Sequence, residues 1–511
     1  MEEQAMRMTR KIRRAWLRGK PEWAKCYLLK QRLRRETKVI SFEKKQKRLH
    51  RASRYLVAGV MLACLGIGNV TEAAIIAIDG APVGSVVTNG AITNVYNQQV
   101  NNGTALNKFK DFSVDNGHVT NLQLDAYGNF KAADRQINLV TNKINIDGVV
   151  NAFKDGKIGG DIYFFSSNGM AVGSTGVINV GRLTVGTSAH AAEEIYKDYA
   201  SYNAKTSMEK AKFVAGSGNI NIDGTINATG TVNTINPVDP NGDPVKGEVI
   251  VGAKQVTIGE GAKINTGATF ENNGTYNSEW TTAEQYKANF VNLNGVSNAT
   301  TATKTNSGDV VLFGASSIDF SGDVYTAGGD FIASSEQTIS FTGTETTENN
   351  VTNINKATVT TNGGDIAISA VRHSTGETKV NVTRTVLNAE DETATNNNGN
   401  VDINAFTETR TYSWAIDMDS VAKVDIEKAE LTGDNVNISA MATNTGTIDD
   451  DGGYTDEQIL EGLDKYDTGE VSKDNIKEVR TIASVSVVGA DATVNIKERF
   501  MLAAKILHEV I

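Results

Sequence analysis

GDFIASS at residues 329–335, GDIAISA at 364–370, GNVDINA at 399–405 and DNVNISA at 434–440 decide the fold. Their leading apolar residues, Phe331, Ile366, Val401 and Val436, are spaced by 35 residues each time. In the last three a second apolar residue follows two positions on, at Ile368, Ile403 and Ile438, and then a small one, at Ala370, Ala405 and Ala440. Alternation with period two puts these side chains on one face of a strand. A fixed recurrence lets equivalent strands stack in register. One such strand buries two or three apolar side chains, each contributing about 1.5–3 kcal/mol. That does not offset the ordering of a whole repeat at roughly 1–2 kcal/mol per residue. Neighbouring repeats must cover one another, so the expected fold is all-β, a parallel β-solenoid whose Asn and Thr residues form ladders or face solvent. The 35 residues make either one wide coil or two coils of about half that length.

Working outward, the same texture fills the chain from residue 75 to about 440. Prolines stand only at 21, 82, 237, 240 and 244, and proline is excluded where every ladder N–H is used. KINIDGVVNA (143–152) recurs as NINIDGTINA (219–228). In GDIYFFSSNGMAVGSTGVINVGRLTVGTS (160–188), Val177–Val180 and Leu183–Val185 read as strands. Ser167-Asn168-Gly169 reads as a tight turn, because Asn and Gly accept positive φ. Three stretches, 189–213, 281–290 and 454–479, are rich in Ala, Glu and Lys and read as helical excursions, either binding elements or tolerated loop insertions. NIKERFMLAAKILHEVI (495–511) also reads as helical, and no segment carries membrane-barrel strands.

Charge and apolar clustering set the first seventy-odd residues apart. Residues 1–54 hold 19 Lys and Arg against 5 acids, whereas the remainder holds 31 against 55. YLVAGVMLACLGIG (55–68) follows the basic run, and small residues including Thr71 and Ala73 follow that. A basic region, a short apolar core and small residues are the layout of a secretory signal, with cleavage expected near Ala73. The core is too short to span a bilayer, so no stable transmembrane segment is expected once the leader is removed. Met61-Leu62-Ala63 before Cys64 fits a lipoprotein site poorly. Both cysteines, Cys26 and Cys64, lie in the leader, so the exported chain has none to crosslink while unfolded.

The stretch 160–188 resembles the secretion domain of two-partner-secretion exoproteins, the filamentous-haemagglutinin-like family. There an aromatic strand leads into an Asn-Pro-Asn-Gly turn and then an Asn-Val-Gly-Gly-like strand. Asn168, Gly169, Asn179 and Gly181 match those positions, while Ser166-Ser167 replaces Asn-Pro. ALNKFKDFSV (105–114) resembles the family's Asn-x-Phe-x-x-Phe-x-Val strand through Asn107, Phe109 and Phe112, and QINLVTNKINIDGVVNA (136–152) resembles its following Asn-rich strand. The likeness covers roughly 78–188. It implies a right-handed parallel β-helix, capped at its N-terminal end and recognised by an outer-membrane barrel transporter. It also implies a secreted or cell-surface protein of a Gram-negative envelope. The expected organisation is a leader at 1–74, a secretion domain at 75–300 and a β-helical repeat region at 301–511.

The expected function is an adhesin for cells or surfaces, with a β-helical cytolysin as the alternative. No nucleic-acid partner and no cofactor are expected. Catalysis is not expected either: Asp recurs in Asp-Gly and Gly-Asp turns, where turn chemistry accounts for it. His50, His118, His190, His373 and His508 lack metal-ligand spacing and read as surface residues. Two acidic stretches, DDDGGYTDEQ (449–458) and DKYDTGEVSKDN (464–475), match a calcium loop poorly and read as solvated loops.

Overall fold

The computed structural model describes residues 75–230, 246–268, 279, 285, 307–348, 351–374, 376–391, 398–409, 420–444, 481–488 and 493–508. All of them fall in the unit Glu72–Ile511. The unit is built mostly of strands, and these pair almost entirely in parallel, in three ladders.

The first ladder contains the 35-residue repeats. Phe331 pairs with Ile366, Ile366 with Val401 and Val401 with Val436, without a slip. It reaches back through Val310, Val249, Leu183, Ile162, Gln136 and Ala105. One level of this ladder therefore corresponds to one 35-residue repeat, which settles the two alternatives in favour of a single wide level. The period holds in this ladder alone. In the second ladder Ile339 pairs with Val380 and Val380 with Val424, so the same levels lie 41 and 44 residues apart. The third ladder stacks Ile226 on Ile178 and Ile264 on Ile226, and later Leu387 on Val359.

Inward side chains of the three ladders form one apolar core running from Ile75 to Ala483, on both sides of residue 300. Phe109, Phe112 and Phe164 meet edge to face at its N-terminal end, with centroids 5.6 and 5.2 Å apart. Phe320, Phe331 and Phe341 form a second aromatic cluster further along. At the N-terminal end antiparallel pairs are added to the parallel ones: Ile75–Ala77 and Gln99–Asn101 lie against Thr104–Val114, and Val86–Asn89 against Ile92–Tyr96.

The Gly-Asp steps at the start of each repeat are corners that hold levels together. A Cβ on Gly329, Gly364 or Gly399 would press into the carbonyl oxygen of Gly308, Gly329 or Gly364 one level before. Only glycine lets the backbones stack that closely. The following carboxylates accept the next level's amides: Asp330 N–H donates to Asp309 (3.0 Å), Asp365 N–H to Asp330 (2.8 Å) and Asn400 N–H to Asp365 (2.7 Å).

Of the three expected helical excursions, 189–213 is helical: α1 (Ala189–Lys197), α2 (Tyr199–Asn203) and α3 (Ser207–Val214). Ser188, Asp198 and Thr206 cap them, the last in a reciprocal box with Glu209. They pack closely on the sheet. Ala191, Ala192, Ile195, Tyr202, Ala211 and Val214 are buried against the outward row Leu106, Ile137, Tyr163, Ile250 and Val311 of the first ladder. The other two excursions, apart from residue 285, lie outside the described residues, as do both acidic stretches and Ala73.

The C-terminal expectation was wrong in kind. Thr493–His508 is a strand, paired in parallel with Glu430–Asn444 so that Phe500 follows Val436 and Leu502 follows Ile438. Its Ala, Leu, Lys and Glu content favours a helix by only tenths of a kcal/mol per residue, and the ladder edge outweighs that.

Candidate functional site

The sequence singled out Asn107, Phe109, Phe112, Asn168, Gly169, Asn179 and Gly181, and the structure disperses them over three levels. Phe109 and Phe112 are fully buried core residues. Asn107 is buried too, accepting from Gln98 N–H at 2.7 Å. Gly181 is a corner whose Cβ would lie 2.8 Å from Gly160 backbone atoms. Of the seven, only Asn168 stands exposed at the surface.

Asn168 and Gly169 form the expected turn. Gly169 has φ 88°, and its N–H donates to Ser166 C=O at 2.9 Å. Ser166 stands where the family pattern has Asn, and its hydroxyl bonds the turn on both sides, donating to Asn142 C=O (2.7 Å) and accepting from Asn168 N–H (3.1 Å). Asn168 Nδ2 donates back to Thr141 C=O at 2.8 Å, so the turn is tied to the preceding level.

Asn179 belongs to a ladder that the sequence only hinted at. Asn121, Asn151, Asn179, Asn227 and Asn265 are consecutive register partners in the third ladder, all buried. Each Nδ2 donates to the Oδ1 of the level before, at 3.3, 2.9, 2.9 and 2.9 Å from Asn151 to Asn265, and Asn121 donates to Asn94. The stack ends where Tyr325 follows Asn265, whose Oδ1 has no hydrogen-bond partner. Replacing Asn227 by Ala would leave both Asn179 Oδ1 and Asn265 Nδ2 unpaired in a buried setting. We expect a loss of about 2–4 kcal/mol, seen as a lower denaturant midpoint and faster hydrogen exchange in 177–180 and 263–266.

The second constellation was not foreseen. Under the helices, Arg182 Nη2 pairs with Glu248 Oε2, and Arg182 Nη1 lies 3.6 Å from Asp161 Oδ2. Lys210 joins them from α3, buried like Asp161 and Glu248. Burial pushes the Asp161 carboxyl up, against the pull of Arg182 and Arg135. For Glu248 burial acts the same way, but Arg182 and Lys210 outweigh it and hold the group below its ordinary value. Burial likewise raises the Tyr163, Tyr199 and Tyr202 phenols. The cavity between these groups is about 10 Å³, room for a water molecule and no larger ligand. The arrangement therefore fastens helices to sheet. Arg135, stacked 3.6 Å over the Tyr199 ring, serves the same end. A signal was available in sequence: Gly186 ends one strand and Gly252 lies inside another, and glycine in a strand marks a close backbone approach.

A larger cavity of about 390 Å³ opens at the N-terminal end, lined by Pro82, Val83, Asn97, Gln98, Val100, Asn129, Phe130 and Lys131. Tyr96 stacks there on Tyr127 and Phe130, and Ile76, Val83, Val87 and Tyr127 are exposed nearby in the chain. His118, expected at the surface, is buried at 7 % exposure, while His190 and His373 are exposed. Among the described residues no three His, Cys, Asp or Glu side chains gather as a metal site, and no helix is long and apolar enough to cross a membrane.

No protein-family model matches the chain, and no curated protein does. Among solved structures it is similar to the crystal structure of the HMW1 secretion domain from Haemophilus influenzae. The two are 12% identical over 84% of this chain and 100% of that one, with a TM-score of 0.25. A superposition that loose carries no weight for fold or function.

Proposed function

We propose that the chain is an exported exoprotein of the two-partner type: a right-handed parallel β-helix, released or displayed at the cell surface as an adhesin. Its leader is cleaved near Ala73, and an outer-membrane barrel transporter carries the rest across. No cofactor and no catalysis enter this reading. The observation that supports it most is the placement of the three motif segments. They occupy successive levels of the same ladders, with Phe112 followed by Ile144 and Met170, and Ala105 by Gln136 and Ile162. The exposed apolar residues at that same end suit a docking surface for the transporter.

Removing residues 78–188 is expected to trap the chain in the periplasm when the partner transporter is present, measured as loss from the medium and the cell surface. Undiminished release would overturn the reading. A cell-binding assay beside a haemolysis assay on the full-length protein then separates adhesion from cytolysis.

A further inference from the structure

The junction between helix α3 and the first ladder holds two carboxylates served by one hydroxyl. Opposite Glu248 the pairing of Gly247–Ile258 with Ser307–Phe320 slips: Gly247 pairs with Ser307 but Val249 with Val310. Gly308 and Asp309 together therefore face Glu248 alone, a β-bulge, and a bulge re-aims the side chain it carries. Ser207 Oγ, at the first residue of α3, donates to Glu248 Oε1 at 2.8 Å and stands 3.5 Å from Asp309 Oδ2. A hydroxyl has one proton to give. With Glu248 the nearer acceptor, Asp309 Oδ2 is left the longer contact to that hydroxyl, beside a neighbouring carboxylate.

We propose that Asp309, Glu248 and Ser207 form a proton-operated latch for the helical insertion: Asp309 takes up a proton to seat α3 on the ladder and loosens it on losing the proton. The charged groups around Asp309 are few. Glu248 and Lys246 flank it from one strand, Asp330 follows it on the next level, and Lys210 approaches from α3. Arg182 is engaged by Glu248 and Asp161. Burial comes first in pushing the Asp309 carboxyl up to about 6; the charges of Asp330 and Glu248 add to it, and the Asp330 amide and Lys246 oppose it. An acid whose value is raised in the folded state is stabilising when protonated. The contribution is fully present below the ordinary 3.8 and is lost as pH rises through about 6. The Asn residues at 400 and 435 show that this corner column accepts an amide in place of a carboxylate.

Hydrogen exchange of the 207–214 amides, corrected for intrinsic rates, tests the latch on the full chain. Between pH 5 and pH 8 the opening constant of α3 should rise in the wild type, by up to about tenfold where opening restores the ordinary carboxyl value. In Asp309→Asn it should stay nearly flat. Ser207→Ala, which keeps both carboxylates, should keep a pH dependence while raising opening at every pH, so a failure of the first variant to fold leaves a second reading. Wild-type opening that is independent of pH, or that changes in parallel in wild type and Asp309→Asn, overturns the proposal.

Discussion

Gly169→Val should undo the N-terminal levels while leaving the later repeats folded. The residue sits at φ 88°, where a β-branched side chain is strained. The added Cβ would also press into the backbone oxygen of Asn219 on the next level. The left-handed conformation costs roughly 1–2 kcal/mol and overpacking a tight contact about 1–3 kcal/mol more. The turn cannot shift away, because Ser166, Asn168 and the Gly169 carbonyl, which accepts from Ile144 N–H at 3.1 Å, tie it to the preceding level. A level contacts only its neighbours, so the damage stays local. Exchange should accelerate in 141–172 and 219–222 and remain slow in 366–372 and 401–409. Unchanged protection across 160–186, with normal release of the protein, would show an interchangeable surface turn.

Gly252→Val should detach the helical insertion without unwinding the ladder beneath it. Helix α3 lies so flat on the strand that a Cβ at 252 would enter the Ala211 carbonyl oxygen, and one at Gly186 would lie 2.6 Å from Val214 O. Pushing α3 outward takes Ala211 and Val214 from the surface they cover and breaks the seat of Lys210 beside Glu248. The cost is on the order of 2–4 kcal/mol. Limited proteolysis should then cut within 189–214 while the strands Gly247–Ile258 and Ser307–Phe320 stay protected. Loss of protection in those strands as well would mean that the helices are required for the ladder itself.

What could be read from the sequence follows from where insertions fall. In the first ladder Phe331, Ile366, Val401 and Val436 keep equal spacing, so the period was visible and with it the stacking. The number of residues separating the second ladder from the first differs from level to level, so Ile339, Val380 and Val424 show no period. The asparagine stack was hidden the same way: NIDGVVNA and NIDGTINA stand out as repeats, yet Asn151 and Asn227 are two levels apart with Asn179 between them. Thr493–His508 was misread because local propensity says nothing about a waiting ladder edge. The charged cluster under the helices joins residues from 161 to 248 that no spacing rule connects; only the strand glycines at 186 and 252 pointed to it.

The register of the repeats can be tested directly by disulfide trapping, because the only native cysteines are Cys26 and Cys64. Ser369 and Asn404 are register partners on the outward face, and Ser439 follows Asn404 one level on. Strands one level apart lie about 4.8 Å from each other, within reach of a disulfide, and strands two levels apart do not. Ser369→Cys with Asn404→Cys, in a chain with Cys26 and Cys64 replaced by Ser, should oxidise readily, and so should Asn404→Cys with Ser439→Cys. Ser369→Cys with Ser439→Cys should remain reduced. Efficient crosslinking of that last pair, with none in the first two, would contradict a ladder that advances one level every 35 residues.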